Sequence, residues 1–367
     1  MTCSFFIRLA STAVCLSVAG CASPLVVSPT PVSQDELDAF LAGGRDPRYA
    51  SITVYQGPAG PRFEFANRLH QDRAAQVNMI SPRTLPLPVL PAKTAAFTPF
   101  NLLLDSSARQ SWLLFRSVKA MDYRPFAPPM GEYADHVLFD IPGYAGVGNK
   151  IILDALHVES PIFYIPPANG GLGPLGRLDP SPEADETEQK ARDALRANLH
   201  AVMGAALMRS FAYIRIDFPS RSVRFSTHGT FRPPVPSAVV ASLPLREWRE
   251  RPAVEGLLDG KPILLVVDTA GDFHLSVPAP AAYSGDLALG DLHLGPVPVH
   301  SHSLLGLPEK FSARLGIRAL TAYILTLDYK QQRLWIEDPA LMKPKASKPT
   351  NGEDVSSPEI QYRGITR

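Results

Sequence analysis

From Ala22 to Arg367 the chain contains no cysteine; its three cysteines are Cys3, Cys15 and Cys21. This excludes internal disulfides and thiolate metal sites, so the fold must hold through its own core, which a chain of this length can bury. Net charge is scarce too. Thirty-six Lys and Arg stand against 35 Asp and Glu, a formal balance of +1 with no dense cationic run. Nucleic acid is thereby excluded as a partner, since phosphate binding needs clustered cations. No apolar run beyond the N-terminal region is long enough to span a bilayer as a helix. A G-x-S-x-G elbow is missing, and Gly146-Val147-Gly148-Asn149-Lys150 lacks the strand–loop–helix setting of a phosphate-cradling loop. Proline, by contrast, is plentiful: its 37 residues point to short strands, tight turns and long loops rather than a helical bundle.

The first residues read as an export signal. Arg8 precedes an apolar run from Leu9 to Val18, then the small residues Ala19 and Gly20, a segment too short to span a bilayer stably. Val18-Ala19-Gly20-Cys21 resembles the bacterial lipobox, which implies removal of residues 1–20 and acylation of Cys21. An ordinary signal-peptidase site is the alternative. Ala22 follows where Asp would retain the chain at the inner membrane. The resemblance therefore implies outer-membrane anchoring, with the domain facing the periplasm and touching the membrane through its lipid alone. Residues 21–49 read as a tether with a short helix, and 339–367 as a disordered tail.

Between them lies an imperfect repeat of three pieces in matching order. The first is an apolar strand ending in an acid, Phe100–Ala108 and Pro262–Gly271. The second carries Leu156-His157-Val158 and Leu292-His293-Leu294. The third is a glycine, a short helical segment and a closing hairpin, over 202–226 and 314–337. An Asp-aromatic pair opens each hairpin turn, Asp217-Phe218 and Asp328-Tyr329. The pattern predicts a mainly β fold of two duplicated lobes, 50–232 and 247–338, with a few short helices and a Pro-rich linker over 233–246. The first lobe is longer through an insertion, whose Thr187–Met203 stretch reads as an amphipathic helix leading into Gly204.

This arrangement resembles the bilobal aspartic proteases, whose retropepsin-type β-barrel lobes each present an Asp-[Thr/Ser]-Gly loop. Asp105-Ser106-Ser107-Ala108 and Asp268-Thr269-Ala270-Gly271 occupy the loop positions, with Val202-Met203-Gly204 and Leu315-Gly316 as the elements crossing behind them. The resemblance implies that Asp105 and Asp268 share one proton and activate a water against a peptide carbonyl, needing neither metal nor cofactor. In that family the two carboxyls lie too close for both to ionise cheaply, which is why one proton serves the pair. It further implies that the Ser106 and Thr269 hydroxyls reach across to the other lobe's backbone, and that a Gly-rich flap over 139–151 carries Tyr144 at its tip. Ser107 and Ala270 depart from the pattern by placing a Cβ where those enzymes have glycine. Peptide or unfolded protein is the implied substrate.

Histidines 293, 300 and 302 fall within ten residues. Two could share a strand face, but zinc wants a third ligand of suitable spacing, and exposed loop histidines are the competing reading. Three functions remain open. One is an envelope-anchored aspartic peptidase working through Asp105 and Asp268. Another is a catalytically degenerate lipoprotein binding an extended peptide or envelope partner between its lobes. The third is a purely structural envelope component. Peptide specificity and oligomeric state are not legible.

Overall fold

The computed structural model describes residues 50–57, 60–67, 69, 73–125, 137–138, 141–142, 144–165, 183–305 and 312–342. The expected signal, Cys21, the tether and residues 343–367 lie outside them. Strand assignment follows burial. In Tyr213–Asp217 only Ile214 and Ile216 point fully inward, an alternation that marks a strand with one covered face. Leu102, Leu103 and Leu104 are all fully buried, because the strand Pro99–Asp105 runs through the centre of a sheet with both faces covered. Each such side chain contributes about 1.5–3 kcal/mol on leaving water.

The molecule is mainly β, with two duplicated β-barrel lobes and a few short helices. In the second lobe six strands close on themselves. They run Arg251–Leu258, Lys261–Asp268, Ala313–Gly316, Leu275–Val277, Leu292–Ser301 and Ala282–Leu289, the last pairing back to the first through Leu257↔Ala288. The first lobe follows the same path through Val89–Thr94, Pro99–Asp105, Ala201–Gly204, Trp112–Leu113 and Ile162–Ile165. Where the second lobe has the single strand Leu292–Ser301, the first has two, Leu156–Glu159 and Ile162–Ile165. Ser160 and Pro161 interrupt them, Ser160 at a φ of 45°.

A third sheet joins the lobes. Its order is Val239–Pro244, Arg333–Glu337, Ile324–Asp328, Tyr213–Asp217, Ser222–Ser226 and Ala74–Asn78. The closing hairpins of the two lobes meet in it, antiparallel from Tyr213↔Asp328 to Asp217↔Ile324, so a pseudo-twofold axis passes at Arg215↔Thr326. The stretch expected as a linker is therefore partly sheet: Val239–Pro244 pairs with Arg333–Glu337. The insertion contributes the helix Glu186–Asn198, whose N-terminus is capped by Asp185 accepting from the Glu188 N–H at 2.8 Å. No helix among the described residues is long and apolar enough to cross a membrane.

Candidate functional site: the paired aspartate loops

Each lobe crosses a second strand behind its aspartate strand in the same parallel register. Gly204 lies opposite Asp105, and Gly316 lies opposite Asp268. Both glycines are required by close approach rather than by φ. A Cβ on Gly204 would overlap the Gln110 carbonyl, and one on Gly316 the Phe273 carbonyl. This contact is why the sequence signal at both places is an inward strand ending in glycine.

The two loops meet. Ser106 Oγ donates to the Val267 carbonyl at 2.5 Å, and Thr269 Oγ1 donates to the Leu104 carbonyl at 2.9 Å. In return, the Ser106 N–H donates to Thr269 Oγ1 at 2.9 Å and the Thr269 N–H to Ser106 Oγ at 3.2 Å. Each hydroxyl thus accepts from the other loop's N–H and donates to the strand beside it, a reciprocal pair about the pseudo-twofold axis. Asp105, Ser106, Ser107, Asp268, Thr269 and Ala270 are all at zero exposure. Hydrogen bonds in such a dry setting are strong, and orphaning one partner is expensive.

The carboxylates are held differently. Asp105 Oδ1 accepts from the Ser107 N–H at 2.9 Å, the Ser107 hydroxyl at 2.7 Å and the Ala108 N–H at 2.9 Å. Asp268 Oδ1 accepts from the Ala270 N–H at 3.2 Å, while Oδ2 accepts from Arg314 Nη1 at 3.1 Å. The same Nη1 lies 3.3 Å from Ser107 Oγ. One chain of contacts therefore runs from Asp105 through Ser107 and Arg314 to Asp268. Arg314 is 1% exposed, and a guanidinium stays charged at any ordinary pH. Sequence reasoning missed it. It stands where the duplicate element has Val202, and a cation two residues before that glycine was the available signal.

Neither Ser107 nor Ala270 has a positive φ. The loop accommodates their Cβ atoms without a left-handed backbone, and the Ser107 hydroxyl is built into the chain of contacts. Tyr144 does not sit at a turn tip. Its backbone begins the strand Tyr144–Val147, paired opposite Ile165, and that strand does not form a hairpin with Lys150–Leu153. The exposed-loop reading of the histidines also changes. His302 is fully buried with Nε2 3.0 Å from the Ser312 carbonyl oxygen, and His300 Nε2 lies 2.8 Å from Glu183 Oε1.

No family model matches the chain, and no curated protein matches it. Among solved structures it is similar to basic 7S globulin from soybean, at 10% identity and a TM-score of 0.44, over 73% of this chain and 95% of that one. It is likewise similar to conglutin gamma, a basic 7S globulin from lupine seeds, at 9% identity and a TM-score of 0.42, with the same coverage. The family reading is corrected. Both of these solved structures are seed globulins, and no family model or curated protein places the chain among aspartic proteases or bacterial lipoproteins.

Charged contacts brace both loops from the opposite lobe. Four residues after Asp105, Arg109 pairs through Nε and Nη2 with both Glu250 oxygens, and Arg251 Nε donates to the Ser107 carbonyl at 2.5 Å. Arg249 and Glu250 form this hairpin's turn at φ values of 47° and 66°, left-handed geometry usually left to Asn and Gly. Four residues after Asp268, Asp272 pairs with Arg192 of the insertion helix and with Arg318 at 2.7 Å. Burial is the main force lowering the Arg192 guanidinium to about 10, with the Arg318 charge adding to it.

Proposed function

We propose that this is a non-hydrolytic binding protein whose two-lobed body takes up extended polypeptide, its paired aspartate loops serving as an ionic lock rather than a catalytic centre. The Asp268–Arg314 contact carries the reading. Water activation by two acids depends on a proton held between them. Here a buried cation supplies the counter-charge at 3.1 Å from Asp268 instead. Both carboxylates are also closed to solvent, so neither water nor a scissile bond has access to them in this arrangement.

A hydrolytic role for Asp105 and Asp268 keeps one observation in its favour, the reciprocal Ser106 and Thr269 bonds that hold the loops together. It requires Arg314 to withdraw. The experiment is to incubate protein lacking residues 1–21 with unstructured polypeptides across pH 3–7 and to measure peptide binding in parallel. Binding without cleavage supports the lock. Cleavage abolished by Asp268→Asn overturns it. Lipid anchoring at Cys21 is a separate proposal resting on Val18–Cys21, tested by Cys21→Ser, which should release the protein from membranes.

A further inference from the structure

Beside the bracing contacts of the second aspartate loop, the two lobes line an open pocket of about 310 Å3 formed by Arg83, Thr84, Pro86, His274, Arg318 and Thr321. That size lies at the low end for small-molecule clefts, roughly 300–1,000 Å3. Two arginines, an imidazole and two hydroxyls line it, and no carboxylate is among the described lining residues. The first lobe supplies Arg83 and Thr84; the second supplies His274, Arg318 and Thr321.

The acids stand behind the cations and orient them. Arg318 Nε and Nη2 are bound by Asp272 at 2.7 and 3.2 Å, and Nη2 also reaches Glu188 at 2.8 Å. Nη1 is left as the guanidinium nitrogen without a partner among the described residues. Arg83 is exposed and has no ion-pair partner among them either. Glu183 Oε2 lies 2.7 Å from His274 Nδ1. Because a carboxylate can only accept, Nδ1 carries the hydrogen there.

We propose that this pocket binds a small molecule through a tetrahedral oxyanion, a phosphoryl or sulfate group held between Arg83 and Arg318 with the Thr84 and Thr321 hydroxyls. Planar forks and hydroxyls arriving from two lobes suit four oxygens better than two. Behind the lining, Glu188 and Asp272 hold Arg318, Arg192 pairs with Asp272, and Glu183 bridges His274 and His300. The site is independent of whether Asp105 and Asp268 hydrolyse anything.

The test is calorimetric titration of the purified chain with sodium sulfate, inorganic phosphate and a simple phosphate monoester, at constant ionic strength in chloride. One saturable site is expected, weakened about tenfold by Arg83→Gln, the loss of one charge-assisted contact. Arg83→Gln removes an exposed side chain and leaves folding intact, which circular dichroism verifies. Tighter binding of the monoester than of phosphate supports an organic ligand, and equal binding supports the free anion. No saturable binding, or binding indifferent to Arg83→Gln, would each overturn the proposal.

Discussion

The two lobes repeat one scaffold and place opposite charges on it. At the residue two before the crossing glycine, the first lobe has Val202 and the second has Arg314, both fully buried. Four residues beyond the aspartate, the first lobe has Arg109 and the second has Asp272, each ion-paired to a partner from the other lobe. The first carboxylate accepts three hydrogen bonds from its own loop; the second has a cation 3.1 Å away. Duplication thus kept backbone register while the buried electrostatics diverged, because register is enforced by the glycine contact in both halves and charge only by whatever happens to pair with it.

Breaking the comparison begins at Asp268. Asp268→Asn removes the carboxylate charge 3.1 Å from the buried Arg314 and should cost about 3–5 kcal/mol in urea unfolding. Asp105→Asn, which weakens the three hydrogen bonds that Oδ1 accepts from its own loop, should cost about 1–3 kcal/mol. Combining Asp268→Asn with Arg314→Val should recover most of the larger loss, since it removes the buried cation together with its lost counter-charge. Equal single losses without recovery would refute the asymmetry.

Where the lobes are alike, their variants should agree. Gly204→Ala and Gly316→Ala each force a Cβ into a carbonyl and should lower stability by about 3 kcal/mol or prevent folding. Ser106→Ala and Thr269→Ala should each cost about 1–2 kcal/mol, with a double mutant that is not additive, since each hydroxyl bonds the other loop.

The smallest effect concerns Glu183. Burial alone would raise its carboxyl, but the hydrogen bond and charge of His274, and the hydrogen bond of His300, hold it below its ordinary 4.5. A depressed carboxyl stabilises the fold above the unfolded value and loses that contribution as pH falls through the folded one. Glu183→Gln should therefore destabilise by about 1 kcal/mol at neutral pH, and the gap from the unsubstituted protein should close on acidification below 4.5. A gap independent of pH would show that Glu183 acts through shape alone.

Much of this architecture was legible because it is written locally. Apolar runs ending in Asp105 and Asp268, and glycines at 204 and 316, are strand and crossing signals within a few residues of one another. The hydroxyl after each aspartate could be read too, since the other loop's backbone is its natural partner. Arg314 could not be assigned, because its meaning depends on Ser107, 207 positions away. The same holds for Arg192, which looks like a solvated position on an amphipathic helix until Asp272 is placed beside it. Val239–Pro244 was hidden by prolines whose turn chemistry dominates any short window, while its pairing with Arg333–Glu337 lies far along the chain. Tyr144 misled for the opposite reason: neighbouring glycines imitate a turn, and only the pairing to Ile165 makes it a strand.

The ladder between Tyr213–Asp217 and Ile324–Asp328 has a mechanical consequence. Halves tied by a flexible connector melt separately and swing on a hinge. Here, opening the body means shearing five consecutive residue pairs in mid-sheet. A calorimeter should accordingly record one cooperative transition for the whole body, and any ligand between the halves must be met by side-chain and loop motion rather than by the halves swinging apart.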